Sequence, residues 1–163
     1  MTIPRFRSTA AFTLRSRLSA PMVDRATFVL FSLGGERFAA PVEAVERVLR
    51  PGSLAAELMT TVAHAGRQVP LLDIRTALGI ATSTDRSAGA RMLVFIVQQV
   101  WVAAEVDAVY EVATLDASLV RGLPASRDDG RPWPVGSRGL FTRHEQQVIV
   151  LDMARVMMQV MRS

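Results

Sequence analysis

The sequence predicts a mainly β fold built from one unit used twice, with short helices after some of the strands. Two internal matches carry that prediction. Phe28 to Val48 aligns without a gap on Met92 to Val112 at an offset of 64, with seven identities in 21 positions, among them Phe31 with Phe95, Ala39 with Ala103 and Val48 with Val112. Chance in a chain rich in Ala and Val gives roughly two, so the match reads as a duplication. Gly66 to Leu78 aligns on Glu145 to Met157 at an offset of 79, pairing Gln68 with Gln147, Val69 with Val148, Leu72 with Leu151 and Asp73 with Asp152. The offset grows by 15 between the blocks, which places an insertion of that size in the second copy, within Asp116 to Gly139. The units run from about 27 to 80 and from about 91 to 160.

The first unit opens with Phe28-Val-Leu-Phe-Ser-Leu, a β-prone run joined through Gly34-Gly35-Glu36 to Arg37-Phe-Ala-Ala. Two apolar runs linked by Gly-Gly read as a hairpin. The second copy has Gln98-Gln99 at those places, where positive φ costs more, so a different turn geometry is expected. Pro41 can start a short helix with Val42, Val45, Val48 and Leu49 on one face, ended by Arg50-Pro51-Gly52. Gly66 and Arg67 read as a hairpin tip before the strand Val69 to Leu72. Pro70 cannot donate to a ladder and belongs at a strand end or edge. Asp73 is placed to cap a short helix, Ile74 to Leu78, and Gly79 to stop it. Asp152 repeats the cap.

Asp116 to Gly139 holds Pro124, Pro132, Pro134 and four Gly, so regular structure is excluded through most of it. Trp133 lies between two of those prolines, and the favoured reading is an anchor that buries on its own domain, the alternative being a partner contact.

Composition narrows the function classes. At 163 residues with 50% hydrophobic content the chain can bury a substantial core. It has no Cys, which removes disulfides, thiolate metal sites and cysteine nucleophiles. The longest apolar candidate, Leu93 to Val106, is interrupted by Gln98, Gln99 and Glu105, so no membrane span is expected, and residues 1–25 lack the continuous apolar core of an export signal. All 19 basic residues are Arg. Residues 1–25 carry five of them against one Asp, while residues 26–163 hold 14 Arg against 14 acids. The excess charge therefore belongs to a tail, residues 1–25, expected to be disordered. A basic arm could also touch nucleic acid or anionic lipid.

A search for catalytic groups finds little. His64 and His144 each precede a hairpin turn, without Cys or clustered carboxylates beside them, and both read as turn histidines. Helix capping accounts for Asp73 and Asp152. Gly34-Gly35 is not followed by the Lys and helix start of a phosphate loop. Neither enzymatic activity nor a cofactor or metal is expected.

The run Phe28-Val-Leu-Phe-Ser-Leu-Gly-Gly-Glu-Arg-Phe, then Pro41-Val-Glu-Ala-Val-Glu-Arg-Val, then Val69-Pro-Leu-Leu-Asp-Ile-Arg-Thr-Ala-Leu-Gly, and finally Arg138-Gly-Leu-Phe before Val148-Ile-Val-Leu-Asp resembles the CheW family of chemotaxis coupling proteins over residues 27–160. The resemblance implies a mainly β fold of two SH3-like β-barrel subdomains related by internal duplication, with short helices. It implies a non-enzymatic adaptor that is cytoplasmic and recruited to receptor arrays. Its partners would be the regulatory domain of a CheA-type histidine kinase and the cytoplasmic tip of a chemoreceptor. Barrel-end apolar residues would dock the kinase. Val48, Leu49, Ala65, Gly66 and Arg67 would line a groove for a receptor helix, with Leu49 the expected contact and Val48 the expected core residue. Two places depart from the family pattern. The usual Asn-Leu-Arg-Gly turn is Ala63-His64-Ala65-Gly66, and the acid of the Val-x-Glu-Ile segment is Arg47, so both members of a charge pair are replaced together. The rival function is a nucleic-acid-binding barrel that uses the basic arm.

Overall fold

The computed structural model describes residues 24–51, 61–81 and 88–162. The expected basic tail lies outside the described residues except for Asp24 and Arg25, and Arg25 already begins a strand opposite Asp116. Ten strands follow in chain order: β1 (Arg25–Leu33), β2 (Glu36–Pro41), β3 (Val45–Leu49), β4 (Thr61–His64), β5 (Arg67–Pro70), β6 (Arg91–Val97), β7 (Val100–Val106), β8 (Ala108–Asp116), β9 (Ser137–Arg143) and β10 (Gln146–Leu151). Helix α1 (Ile74–Ala77) follows β5 and helix α2 (Met153–Arg162) follows β10. The capping aspartates act as expected. The Asp73 carboxylate accepts from Thr76 N at 3.3 Å, and that of Asp152 from Ala154 N at 3.1 Å.

Strands β8-β1-β2-β10-β9 form one curved sheet. Strands β3-β6-β7 form a second, which the β4–β5 hairpin joins through a parallel bridge between Leu71 and Ala103. The two small barrels anticipated from the sequence are these. The first is made of β3, β6, β7, β5 and β4, and the second of β8, β1, β2, β10 and β9. The duplicated units do not coincide with them. Copy one contributes β1 and β2 to the second barrel, and copy two contributes β6 and β7 to the first. The registers show the exchange directly, since Val29 opposite Val112 in the second barrel corresponds to Leu93 opposite Val48 in the first. Likewise Val150 opposite Ala39 corresponds to Leu71 opposite Ala103.

Alternation along the strands sorts the apolar side chains into three layers. Phe28, Leu30, Ala39, Ala113, Leu115, Phe141, Val148 and Val150 fill the second barrel. Val62, Val69, Met92, Val94 and Ala103 fill the first, with Leu49, Leu71 and Trp101 half-buried against them. The largest layer lies between the barrels, where Phe31, Phe38, Leu93, Phe95, Ile149 and Leu151 meet Ile74 of α1 and Val156 and Met157 of α2. Each large side chain buried there contributes about 1.5–3 kcal/mol. This layer makes the two barrels one body.

Two polar contacts lock elements across it. Arg75 of α1 pairs with Asp107, which follows β7, and the other Asp107 oxygen accepts from Gly34 N at 2.8 Å. The second-copy insertion is pinned to β2 by Arg127 on Glu36. Trp133 packs against the inter-barrel layer, and its indole donates to Pro124 O at 2.9 Å, so it anchors the loop on its own domain.

Two expectations are corrected. The helix read over Val42 to Leu49 is a single 3₁₀ turn, Val42–Ala44, followed by strand β3. Between Val45 and Arg47 a β-bulge inserts Glu46 and breaks the two-residue alternation, which gives the apolar positions a helical spacing. The Gln98–Gln99 turn does not differ from its Gly counterpart. Its φ values are 51° and 68°, against 59° and 83° at Gly34 and Gly35. The flanking antiparallel strands impose the two-residue left-handed turn, at a cost of roughly 1 kcal/mol for each non-glycine residue.

Candidate functional site

In both barrels the outermost strands approach each other without a backbone ladder, and side chains close the seam at the barrel mouth. In the first barrel the seam lies between β3 and β4. Bulged Glu46 brings its carboxylate to 3.6 Å from His64 Nε2, beyond hydrogen-bond distance. His64 is only 10% exposed, and its Nε2 has no hydrogen-bond partner among the described residues. The His64 ring leans on Trp101 of β7, centroids 5.2 Å apart. Arg67, opposite His64 in the hairpin, holds its guanidinium 4.5 Å from the Trp101 ring centroid. Trp101 thus plugs the mouth, with a cation and an imidazole upon it.

The five residues expected to line a docking groove are placed as follows. Ala65 and Gly66 are the exposed two-residue turn between β4 and β5, with φ of 50° and 76°. Arg67 is exposed on the Trp101 plug. Val48 lies opposite Leu93, on the strand face that continues into the inter-barrel layer, and is 40% exposed. Leu49 points the other way and is half-buried against Met92, Val94 and Ala103 in the first barrel. The expected burial of the two is therefore reversed, Leu49 being packed in the first barrel and Val48 left exposed. It rested on helical geometry that β3 does not have.

The second mouth, between β8 and β9, carries the same architecture with different chemistry. A bulge after Leu30 makes Tyr110 the extra residue, the counterpart of Glu46. Arg37, the counterpart of Trp101, lies over the Tyr110 ring at 4.3 Å. Burial raises the pKa of the Tyr110 hydroxyl, against the opposing pull of the Arg37 guanidinium beside it. Glu111, the counterpart of Arg47, accepts from Arg143 Nε at 3.0 Å and a second time from the same guanidinium. His144 Nε2, at the place of Ala65, lies 3.2 Å from the other Glu111 oxygen. The Arg143 hydrogen bonds hold the Glu111 carboxyl below the usual carboxylate range. The positions equivalent to Arg47 and Ala65 in the other barrel thus hold a carboxylate and an imidazole in contact, Glu111 and His144. Sequence reading missed it, although the offsets of 64 and 79 align Glu111 with Arg47 and His144 with Ala65.

Among the described residues no group of three or more His, Asp or Glu could hold a metal ion, and no helix is long and apolar enough to cross a membrane. A cleft of about 330 Å³ at the other end of the second barrel is lined by Phe28, Val120, Arg121 and Arg138, among others.

Comparison with known proteins agrees with this architecture. The structure of the scaffolding protein TtCheW from Thermoanaerobacter tengcongensis superposes with a TM-score of 0.65 at 20% sequence identity, over 84% of this chain and 89% of that one. No curated protein matches the chain. The family model for the CheW-like domain matches residues 27–161. With that span inside one family model, and with the fold of a scaffolding protein of known structure, the chain belongs to the CheW-like domain family.

Proposed function

We propose that the chain is a non-enzymatic adaptor that couples the regulatory domain of a CheA-type histidine kinase to the cytoplasmic tip of a chemoreceptor, working in the cytoplasm at membrane-bound receptor arrays. The observation that carries this reading is Val48. It is a large apolar side chain left 40% exposed on an outermost strand, opposite Leu93 of the inter-barrel layer. An apolar position of this kind suits a helix laid along the groove. The exposed ends of the barrels remain for the kinase domain.

Nucleic-acid binding draws less support from the side chains. Among the described residues, Trp101, Trp133 and Tyr110 each already carry a guanidinium on the ring, from Arg67, Arg127 and Arg37, which competes with a base for that face.

Calorimetric titration with the kinase regulatory domain and then with a receptor-tip fragment tests the proposal. Binding of both is expected, and Val48→Glu should weaken the receptor arm alone. Absence of both interactions refutes the adaptor reading.

A further inference from the structure

We propose that residues 1–23, which read from the sequence as a free basic arm, fold back on their own chain and cover the exposed apolar side chains of β8 and of the turn that follows it, Val112 and Leu119. The inference goes beyond the adaptor reading and stands whether or not a receptor helix binds.

Val112 is the residue that the duplication sets against Val48. It is 63% exposed, on the outermost strand of the second barrel. Val29, directly opposite, is buried in the inter-barrel layer. Two positions along, Thr114 faces Thr27 with the hydroxyl oxygens 2.8 Å apart. Side chains opposite one another in an antiparallel pair share a face, so Val112 is an uncovered margin of that layer. Leu119 is 58% exposed on the 3₁₀ turn Ala117–Leu119.

The arm joins the domain at this same strand. Arg25 lies opposite Asp116, and Asp24 O accepts from Ala117 N at 2.8 Å, at the start of the turn that carries Leu119. From Asp116 back to Val112 is about 13 Å along β8. The connection Ser19 to Asp24 spans up to about 20 Å, which brings Phe12 to Leu18 within reach of Val112, with Met22 and Val23 close to Leu119.

Composition suits this occupant. Phe12, Leu14 and Leu18 are interleaved with Thr13, Arg15, Ser16 and Arg17, and an arm that acted by charge alone would have no use for the three apolar side chains. Residues 1–23 hold four Arg and no acid. Where they leave the domain, Asp24 and Asp116 stand against the single charge of Arg25, so the local excess is negative and favours the arm. A segment on so short a connection meets its site at an effective concentration in the roughly millimolar range. Weak apolar contacts then suffice, and an unattached helix has to displace them. Of two equivalent valines, the chain shields Val112 and leaves Val48 to a partner.

The chain has no Cys, so Ser16→Cys carries a single nitroxide label. In the full chain that label should erase the amide resonances of Val112 and Thr114, which return when the nitroxide is reduced. Val112→Glu, and separately the triple variant Phe12→Asp, Leu14→Asp, Leu18→Asp, should each restore them in the presence of the label while melting as the parent does. Undiminished resonances on β8 overturn the proposal and return residues 1–23 to a free arm. Broadening that survives both variants overturns the assignment to these apolar contacts. Broadening passed to an isotope-enriched chain without the label, in a mixture with a labelled one, overturns it in favour of contact between two copies.

Discussion

Glu111 and Arg143, 32 positions apart in the chain, hold the outer strands of the second barrel together where no backbone ladder joins them. The contact uses two N–H groups of one guanidinium on one carboxylate oxygen, and His144 takes the other oxygen. Glu111→Gln keeps the shape and removes the charge. It should lower the melting temperature by on the order of 3 °C, measured by circular dichroism at low salt. Salt at 1 M should shrink the difference. A variant that melts with the parent would mean that the apolar interior closes this barrel unaided.

The pH dependence follows from the same carboxylate and two others. Glu111 is held low by Arg143, Asp116 by the backbone and hydroxyl of Ser118, and Asp129 by the backbone and side chain of Arg131. Each folded value lies below its unfolded one, so the unfolded chain binds more protons in between. The stabilisation is full above the ordinary carboxylate values, about 4, and is lost as pH falls through the lowered ones. Urea midpoints should be flat from pH 8 to 5 and fall below about pH 4. The triple variant Glu111→Gln, Asp116→Asn, Asp129→Asn should flatten that fall.

Gln98 and Gln99 occupy left-handed conformations in a turn that suits Asn-Gly. The double substitution Gln98→Asn with Gln99→Gly should stabilise the domain by about 1 kcal/mol or more in equilibrium unfolding. A loss of stability would mean that the Gln side chains make contacts worth more than the backbone strain.

On β3, adjacent residues should answer differently to the same change. Leu49→Glu places a carboxylate against Met92, Val94 and Ala103 and should cost roughly 2–4 kcal/mol. Val48→Glu should alter stability by no more than about 0.5 kcal/mol, with its effect confined to partner binding. The reverse ranking in urea unfolding would restore the helical reading of this segment.

Much of this fold could be read from residues. The duplication, the capping roles of Asp73 and Asp152 and the anchoring of Trp133 all depend on local chemistry or on spacing, which a sequence carries openly. Glu46 marks where reading failed. A bulge is a one-residue insertion, and it turned an alternating strand into an apparent helix, which then exchanged the expected burial of Val48 and Leu49. The identity of Gln98 and Gln99 misled because strand pairing outweighs a local conformational cost. The seam pairs were hidden for another reason. Offsets reveal which residues are equivalent, and the meeting of Glu111 with Arg143 depends on strands that pair across the copies.

Fragments of residues 24–87 and 88–162 test that exchange. Each half supplies one hairpin to the other's barrel, so each alone should lack a cooperative unfolding transition, and mixing should restore one. A half that folds cooperatively by itself would show that the exchanged hairpins are dispensable.

The exchanged hairpins also set an order of synthesis. When residue 106 has left the ribosome, every strand of the first barrel exists. Strands β1 and β2, made earliest, still wait for β8, β9 and β10, which are complete only at Leu151. Val29, Leu30 and Phe31 thus lack their β8 neighbours until Val112 is made, and the β2 edge at Phe38 and Ala39 lacks β10 until Val150, so the first-made strands are the last to gain partners on both sides.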